Sequence, residues 1–262
     1  MKMAKWYHLS IDSQTGVSGY WLSVLFVVLL TTGLANCSDT SKEQADSAQQ
    51  PQLLRLLRES RAPYHSFATR FTQRKHLAML DVALESEGMI FFQRPGSVRY
   101  EILAPVRSLM IYDGKKVRCY AYSEEKWKLL NNPAATAIGQ VLRQIGRWIQ
   151  GDFDADRKMF DITVVPSESA GGTIVLTPHS EALSEYIKRI EITVEKTSDY
   201  RVTQVLIRES DVDTTDMRFR QELHNPSIPE GAFSSPDASN ACEALFHQKE
   251  RSDPNEVEKP QS

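Results

Sequence analysis

Phe67–Ala68–Thr69–Arg70–Phe71–Thr72–Gln73, then Gly88–Met89–Ile90–Phe91–Phe92–Gln93–Arg94–Pro95, then Val98–Arg99–Tyr100–Glu101–Ile102: these pieces open the stretch from Phe67 to Tyr122, which decides the fold. It continues through Asp113–Gly114 into Val117–Arg118–Cys119–Tyr120. Apolar and polar residues alternate in short runs separated by turn residues, the pattern of consecutive antiparallel strands. One face of such a sheet carries Phe, Tyr and Met in unusual density.

Outward from that stretch the pattern repeats. Strands are expected over about His65–Leu77, Ala83–Gln93, Val98–Leu103, Leu109–Tyr112, Val117–Tyr122 and Trp127–Leu130, with a two-residue hairpin turn at Asp113–Gly114. From Ala134 to Ile149 the period changes: Ile138, Val141, Leu142, Ile145, Trp148 and Ile149 fall at helical spacing. Strand-like runs resume at Phe160–Val165, Thr173–Thr177, Ile187–Glu195, Tyr200–Glu209 and Met217–Leu223. Leu53–Leu57 forms a short amphipathic helix stopped by Pro63. The expected fold is mainly β: one strongly curved antiparallel sheet of about ten or eleven strands, an incomplete, half-closed barrel, with helices covering its concave face as a lid. A sheet of that size has more interior than its own side chains fill, and large barrels enclose ligand cavities.

The 262-residue chain holds 31 basic and 34 acidic residues, a net charge of −3. That balance and the lack of a basic stripe exclude a nucleic-acid binder. Lys2 and Lys5 precede an apolar run from Tyr20 to Leu30, too short to span a bilayer and flanked like a signal peptide, so residues 1–36 read as an export signal. A retained membrane anchor is the other reading of that run. Leu34–Ala35–Asn36–Cys37 is similar to a lipobox, with Asn36 departing from the small residue usual there. Lipidation of Cys37 and ordinary cleavage after Ala35 both stand. Residues 37–52 read as a flexible tether, 53–236 as the folded domain and 237–262 as a polar, disordered tail.

No catalytic or metal-binding set stands out. The six histidines are scattered, and Asp211, Asp213 and Asp216 read as a solvated turn rather than a calcium site. A non-enzyme without cofactor or metal is expected. Of the three cysteines, Cys119 and Cys242 form a disulfide if Cys37 is lipidated, or remain two free thiols.

Gln50 to Pro236 resembles the LolA family of carriers for outer-membrane lipoproteins. The resemblance rests on Phe67-x3-Phe71-x-Gln73, Gly88-x5-Arg94–Pro95, Val98-x-Tyr100, Pro105, Asp113–Gly114–Lys115, Tyr120 and Val175–Leu176–Thr177–Pro178, in that order. It implies a periplasmic protein with an aromatic-lined cavity for the acyl chains of lipoproteins or another lipid. It implies too an inner-membrane release complex and an outer-membrane acceptor as partners. Arg94 would hold the lid closed. The cavity would be lined by Phe67, Phe71, Phe91, Val98, Tyr100, Ile102 and Met110, with Ile138, Leu142 and Trp148 from the inset helix. A monomeric carrier is expected. An anchored receptor of the LolB kind, or an envelope lipoprotein without carrier activity, is the alternative, and the state of Cys37 separates them.

Overall fold

The computed structural model describes residues 50–131, 143–167 and 171–252. Residues 1–49, expected to hold an export signal, Cys37 and most of a tether, lie outside them, as do Ile138, Leu142 and the last ten residues. Helix α1 (Gln50–Arg61) is followed by strands β1 (Ser66–His76), β2 (Leu84–Gln93), β3 (Ser97–Ala104), β4 (Ser108–Tyr112), β5 (Val117–Ser123) and β6 (Lys126–Leu130). After helix α2, described over 143–149, come β7 (Phe160–Pro166), β8 (Gly172–Pro178), the single turn α3 (Glu181–Ser184), β9 (Arg189–Lys196), β10 (Tyr200–Arg208) and β11 (Thr214–His224). Helix α4 (Ser239–Ser252) ends the described chain.

All eleven strands belong to one antiparallel sheet, in the order β6-β5-β4-β3-β2-β1-β11-β10-β9-β8-β7. Two meanders, β1 to β6 and β7 to β11, are therefore sewn together by one ladder between the first strand and the last, with Phe71 opposite Phe219 and His76 opposite Thr214. The sheet does not close, because β6 and β7 remain its edges.

Helix α2 shows how the sheet bends. A Cβ on its buried Gly146 would lie 3.2 Å from the Phe92 ring and 3.6 Å from Val98, so the helix rests on β2 and β3. Two residues on, Trp148 is buried in the cluster formed by residues of α1 and β7 to β10. On a flat sheet β3 and β9 would be about 24 Å apart at ordinary strand spacing. A single helix reaches both halves because the sheet curls around it.

Strand alternation sends the two faces to different partners. Ile90 and Phe92 face inward with Phe67, Phe71, Tyr100 and Met110. Met89 and Phe91 face outward with Ala232, Cys242 and Phe246. Strand β4 is buried on both sides, Leu109 and Ile111 lying outside against Phe233. The outer cover is the segment after β11. The polar tail expected from residue 237 is instead helix α4 up to Ser252, because Cys242 and Phe246 bury themselves on Ala68, Met89 and Phe91. Under this cover lies a fully buried ion pair: the Arg99 guanidinium donates to Glu101 at 2.8 and 3.0 Å and to the carbonyls of Ala232 and Ser235 at 3.0 Å.

Two local expectations need correction. The β4–β5 connection is a four-residue loop, 113–116, with Tyr112 paired to Val117 rather than a two-residue turn. Asp113 sets its length by accepting from the backbone N–H of Lys115 and Lys116, both at 3.0 Å. The disulfide is not formed: Cys119 lies in the inner-face cluster and Cys242 in the outer one, with the sheet between them.

Candidate functional site

The inner face of β1 to β5 forms one apolar surface. Of the residues expected to line a cavity, Phe67, Phe71, Val98, Tyr100, Ile102 and Met110 all meet there. Phe91 does not. One residue of register puts it on the outer face against Phe246, ring centroids 5.7 Å apart, and its neighbour Phe92 takes the inward place. Sequence reading also missed Ile90, Tyr112, Cys119, Met217 and Ile149 in the same cluster. Ile90 and Tyr112 could have been found by continuing the alternation from Phe92 and Met110. Met217 could not, since its place depends on the distant pairing of β1 with β11.

Gly88 makes the centre of this surface possible. A Cβ there would fall 2.1 Å from the Glu101 carbonyl oxygen and 2.6 Å from the Phe71 ring. Its absence lets Phe71 stack on Tyr100 at 5.0 Å between centroids. The Tyr100 hydroxyl donates to Gln73 Oε1 at 3.2 Å, and burial pushes its pKa well above the usual phenol value. The hydroxyl therefore stays neutral in an otherwise apolar surface.

Helix α2 covers this surface, with Ile145 and Ile149 packed into it. Its polar fastenings converge on Asp156, a fully buried carboxyl. Trp148 Nε1 donates to Asp156 Oδ2 at 3.1 Å, Gln144 donates to Oδ1, and the Arg147 guanidinium lies 3.6 Å from Oδ1. Burial raises the pKa of Asp156 above the usual carboxylate range, outweighing the bonds from Gln144, Arg147 and Trp148. At its other end α2 is held by Arg143, which donates to the Tyr112 hydroxyl at 3.2 Å and sits over that ring. Trp148, expected to line the cavity, instead packs its side chain with the β7–β10 cluster and not on the inner-face surface, although it stands on the covering helix.

Arg94, the residue expected to hold the lid, is exposed, and its side-chain bond among the described residues is to α1 rather than to the described part of α2. Its guanidinium makes a long 3.4 Å bond to the carbonyl of Arg61, at the end of α1. Arg61 is the deeper fastening there. It is buried, pairs with Glu222, and donates to the Tyr200 carbonyl at 2.9 Å. Burial alone would raise the Glu222 pKa, but His224 and Arg61 hold it below its ordinary value. Asp199, Glu222 and His224 bring their ligand atoms within 4.8 Å of one another. This group was not visible in the sequence, where twenty-four residues part Asp199 from His224. The buried guanidinium already supplies its cation, and the network serves to seat α1 on β10 and β11.

The description that matches the chain is "Outer membrane lipoprotein carrier protein LolA", over residues 63–236. A curated relative from Psychromonas ingrahamii, an outer-membrane lipoprotein carrier protein, is 26% identical over 108 residues. That match takes in 41% of this chain and 48% of the relative, so the chain spans about half the length of the curated relative it matches. Among solved structures, a LolA superfamily protein from Nitrosomonas europaea gives a TM-score of 0.37 at 10% identity, covering 71% of this chain and 97% of that one. The Pseudomonas aeruginosa MucA/MucB complex gives 0.42 at 14% identity, over 72% and 62%. No helix among the described residues is long and apolar enough to cross a membrane. On the strength of the matched region, which takes in all eleven strands and α2, this chain belongs to the LolA family of outer membrane lipoprotein carrier proteins.

Proposed function

We propose that the chain is a periplasmic carrier that takes up the acyl chains of lipoproteins, or of another lipid, on the inner face of its sheet and passes them toward the outer membrane. The observation that carries this reading is an apolar aromatic face covered by a helix whose described part is fastened by polar bonds to Asp156 and Tyr112. Each methylene drawn out of a bilayer costs ~0.8 kcal/mol in water, so a ~16-carbon chain costs on the order of 12 kcal/mol if left unsheltered. A carrier must offset most of that and still release. Phe, Tyr, Met and Ile side chains supply soft contact area for the first task. For the second, the contacts of α2 with Asp156 and Tyr112 are worth ~1–3 kcal/mol each, small enough for an entering chain to offset.

The surface is packed when α2 is seated, so uptake requires the helix to lift from Phe92 and Val98. Phe67, Phe71, Val98, Tyr100, Ile102 and Met110 would then meet the acyl chain, and Trp148 would move with the lid. An inner-membrane release complex would load the carrier and an outer-membrane acceptor unload it, with no chemistry performed on the cargo.

The test is a transfer assay with the purified chain, a diacylated lipoprotein in inner-membrane vesicles and outer-membrane vesicles as acceptor, together with native mass spectrometry of the loaded chain. A bound lipid or lipoprotein, lost when Phe71 and Tyr100 are both changed to Asp in a folded variant, is the expected result. No bound lipid and no release of lipoprotein would defeat the carrier reading.

A further inference from the structure

The β1–β2 hairpin ends in a seven-residue tip, 77–83, of unusual character. Met79 is 69% exposed and Val82 72%, with Leu80 exposed beside them. The neighbouring β10–β11 tip adds Val212, 60% exposed, and the two tips are tied by Ala78 N–H donating to Asp213 at 2.6 Å. Strand direction puts Val106, in the β3–β4 turn, and Tyr186, before β9, at this same end of the sheet, and both are exposed. The opposite end has no comparable set of large apolar side chains among the described residues; the remaining ones include Leu129 and Val165, on the two edge strands.

These side chains stand on separate hairpin tips that project past the strand ends, so they make a convex apolar rim rather than a groove. A convex rim suits a broad, yielding surface better than a fitted protein pocket. Its charges narrow the choice. The two tips carry Asp81, Asp211 and Asp213 and no Lys or Arg. Asp81 and Asp211 are exposed, and the cations on the strands that lead into the tips are paired, Lys75 with Glu209 at 3.0 Å, Arg74 with Glu85 at 2.9 Å and Arg208 with Glu191 at 2.9 Å. An acidic border is repelled by anionic headgroups and attracted to the outward ammonium of zwitterionic ones.

We propose that the paired tips 77–83 and 210–213 dock the protein on a zwitterionic lipid surface by inserting Met79, Leu80, Val82 and Val212 among the headgroups. The choice of a lipid surface over a protein draws on the carrier reading above; the apolar tips themselves do not. Shallow insertion of three or four side chains gives weak, reversible contact, as a shuttling protein needs.

The test is co-sedimentation of the full chain with vesicles of phosphatidylcholine, and with vesicles in which part of that lipid is replaced by phosphatidylglycerol. It is run beside the triple variant Met79→Ser, Leu80→Ser, Val82→Ser. The substituted positions are exposed and lie outside the inner face, so fold and acyl-chain binding are expected to stay as they are. The parent is expected to bind phosphatidylcholine, the variant about 10-fold more weakly, and phosphatidylglycerol to weaken the parent's binding. Because both chains share the same N-terminal segment, any contribution from it cancels in the comparison. Equal binding by parent and variant, binding by neither, or stronger binding to the anionic vesicles would overturn the proposal. Loss of acyl-chain uptake with docking intact would instead defeat the carrier reading and leave this one standing.

Discussion

Trp148 Nε1 donates to the buried carboxyl of Asp156 at 3.1 Å, and that bond ties the covering helix to the turn that follows it. Gln144 and Arg147 reach the same carboxyl. These bonds are local in sequence, eight residues from Trp148 to Asp156, whereas the side-chain bond that Arg94 makes among the described residues is to the end of α1.

Asp156→Ala should leave Trp148, Gln144 and Arg147 without their shared acceptor, at a cost of about 2–3 kcal/mol for the seated helix. Quenching of Trp fluorescence by acrylamide should rise and lipid release should quicken. Arg94→Leu, at an exposed position, should change stability by less than about 0.5 kcal/mol in urea titration. If the two variants behaved alike, Asp156 would not be the latch.

The pH dependence follows from the raised pKa of Asp156. A carboxyl whose pKa is higher with the helix seated than in the open or unfolded chain takes up a proton on closure. Its contribution to closure is therefore fully present below the ordinary carboxylate pKa and fades as pH rises through the raised value. Glu222, held below its ordinary value, contributes in the opposite sense: its share is present above that value and is lost only as pH falls through the depressed one. Protection of the amides in 143–149, after correction for the intrinsic pH dependence of hydrogen exchange, should be greater below the raised pKa of Asp156 than above it, and Asp156→Asn should flatten the difference.

Gly88→Ala places a methyl against the Glu101 carbonyl oxygen, where backbone rather than a movable side chain must yield. A loss of about 1–3 kcal/mol is expected. The stacking of Phe71 on Tyr100 should loosen with it, visible as a weakened near-ultraviolet circular dichroism signal.

Arg99→Met leaves Glu101 buried with only Arg107 and Ser239 as partners, and should cost about 3 kcal/mol. The double change Arg99→Met, Glu101→Leu removes both charges and should recover much of the loss. Thermal unfolding of the three chains tests this; a double variant as unstable as the single one would show that the guanidinium's bonds to the 232–235 carbonyls matter more than the ion pair.

Burial pushes the Cys242 thiol up to about 11, and no disulfide joins it to Cys119. Alkylation of Cys242 near pH 8 should be slow in the folded chain and rapid in denaturant. A mass increase of two hydrogens on reduction would contradict the arrangement.

Much of this architecture could be read from alternation alone. Phe67, Phe71, Tyr100 and Met110 came out on one face because strand periodicity is strict once the turns are located. Phe91 failed for the same reason: in a Phe–Phe pair the two rings are equally apolar, and only register says which one faces inward. Asp156 was silent because nothing marks a buried carboxyl in a polar turn until the helix that it receives is in place. Helix α4 was hidden by composition: two apolar residues, Cys242 and Phe246, are enough when the outer face offers Met89 and Phe91 to meet them.

The single seam between β1 and β11 has a consequence for how the molecule comes into being. Partners such as Phe71 and Phe219 are nearly 150 residues apart in the chain, and contacts so distant slow folding because the loop between them must be closed first. Until β11 arrives, β1 is an unpaired edge with Phe67 and Phe71 uncovered. A ribosome or translocon that delivers the chain from its N-terminus therefore releases a sticky half-sheet before a whole one. That half-sheet needs shelter of its own for the interval between the synthesis of β1 and that of β11.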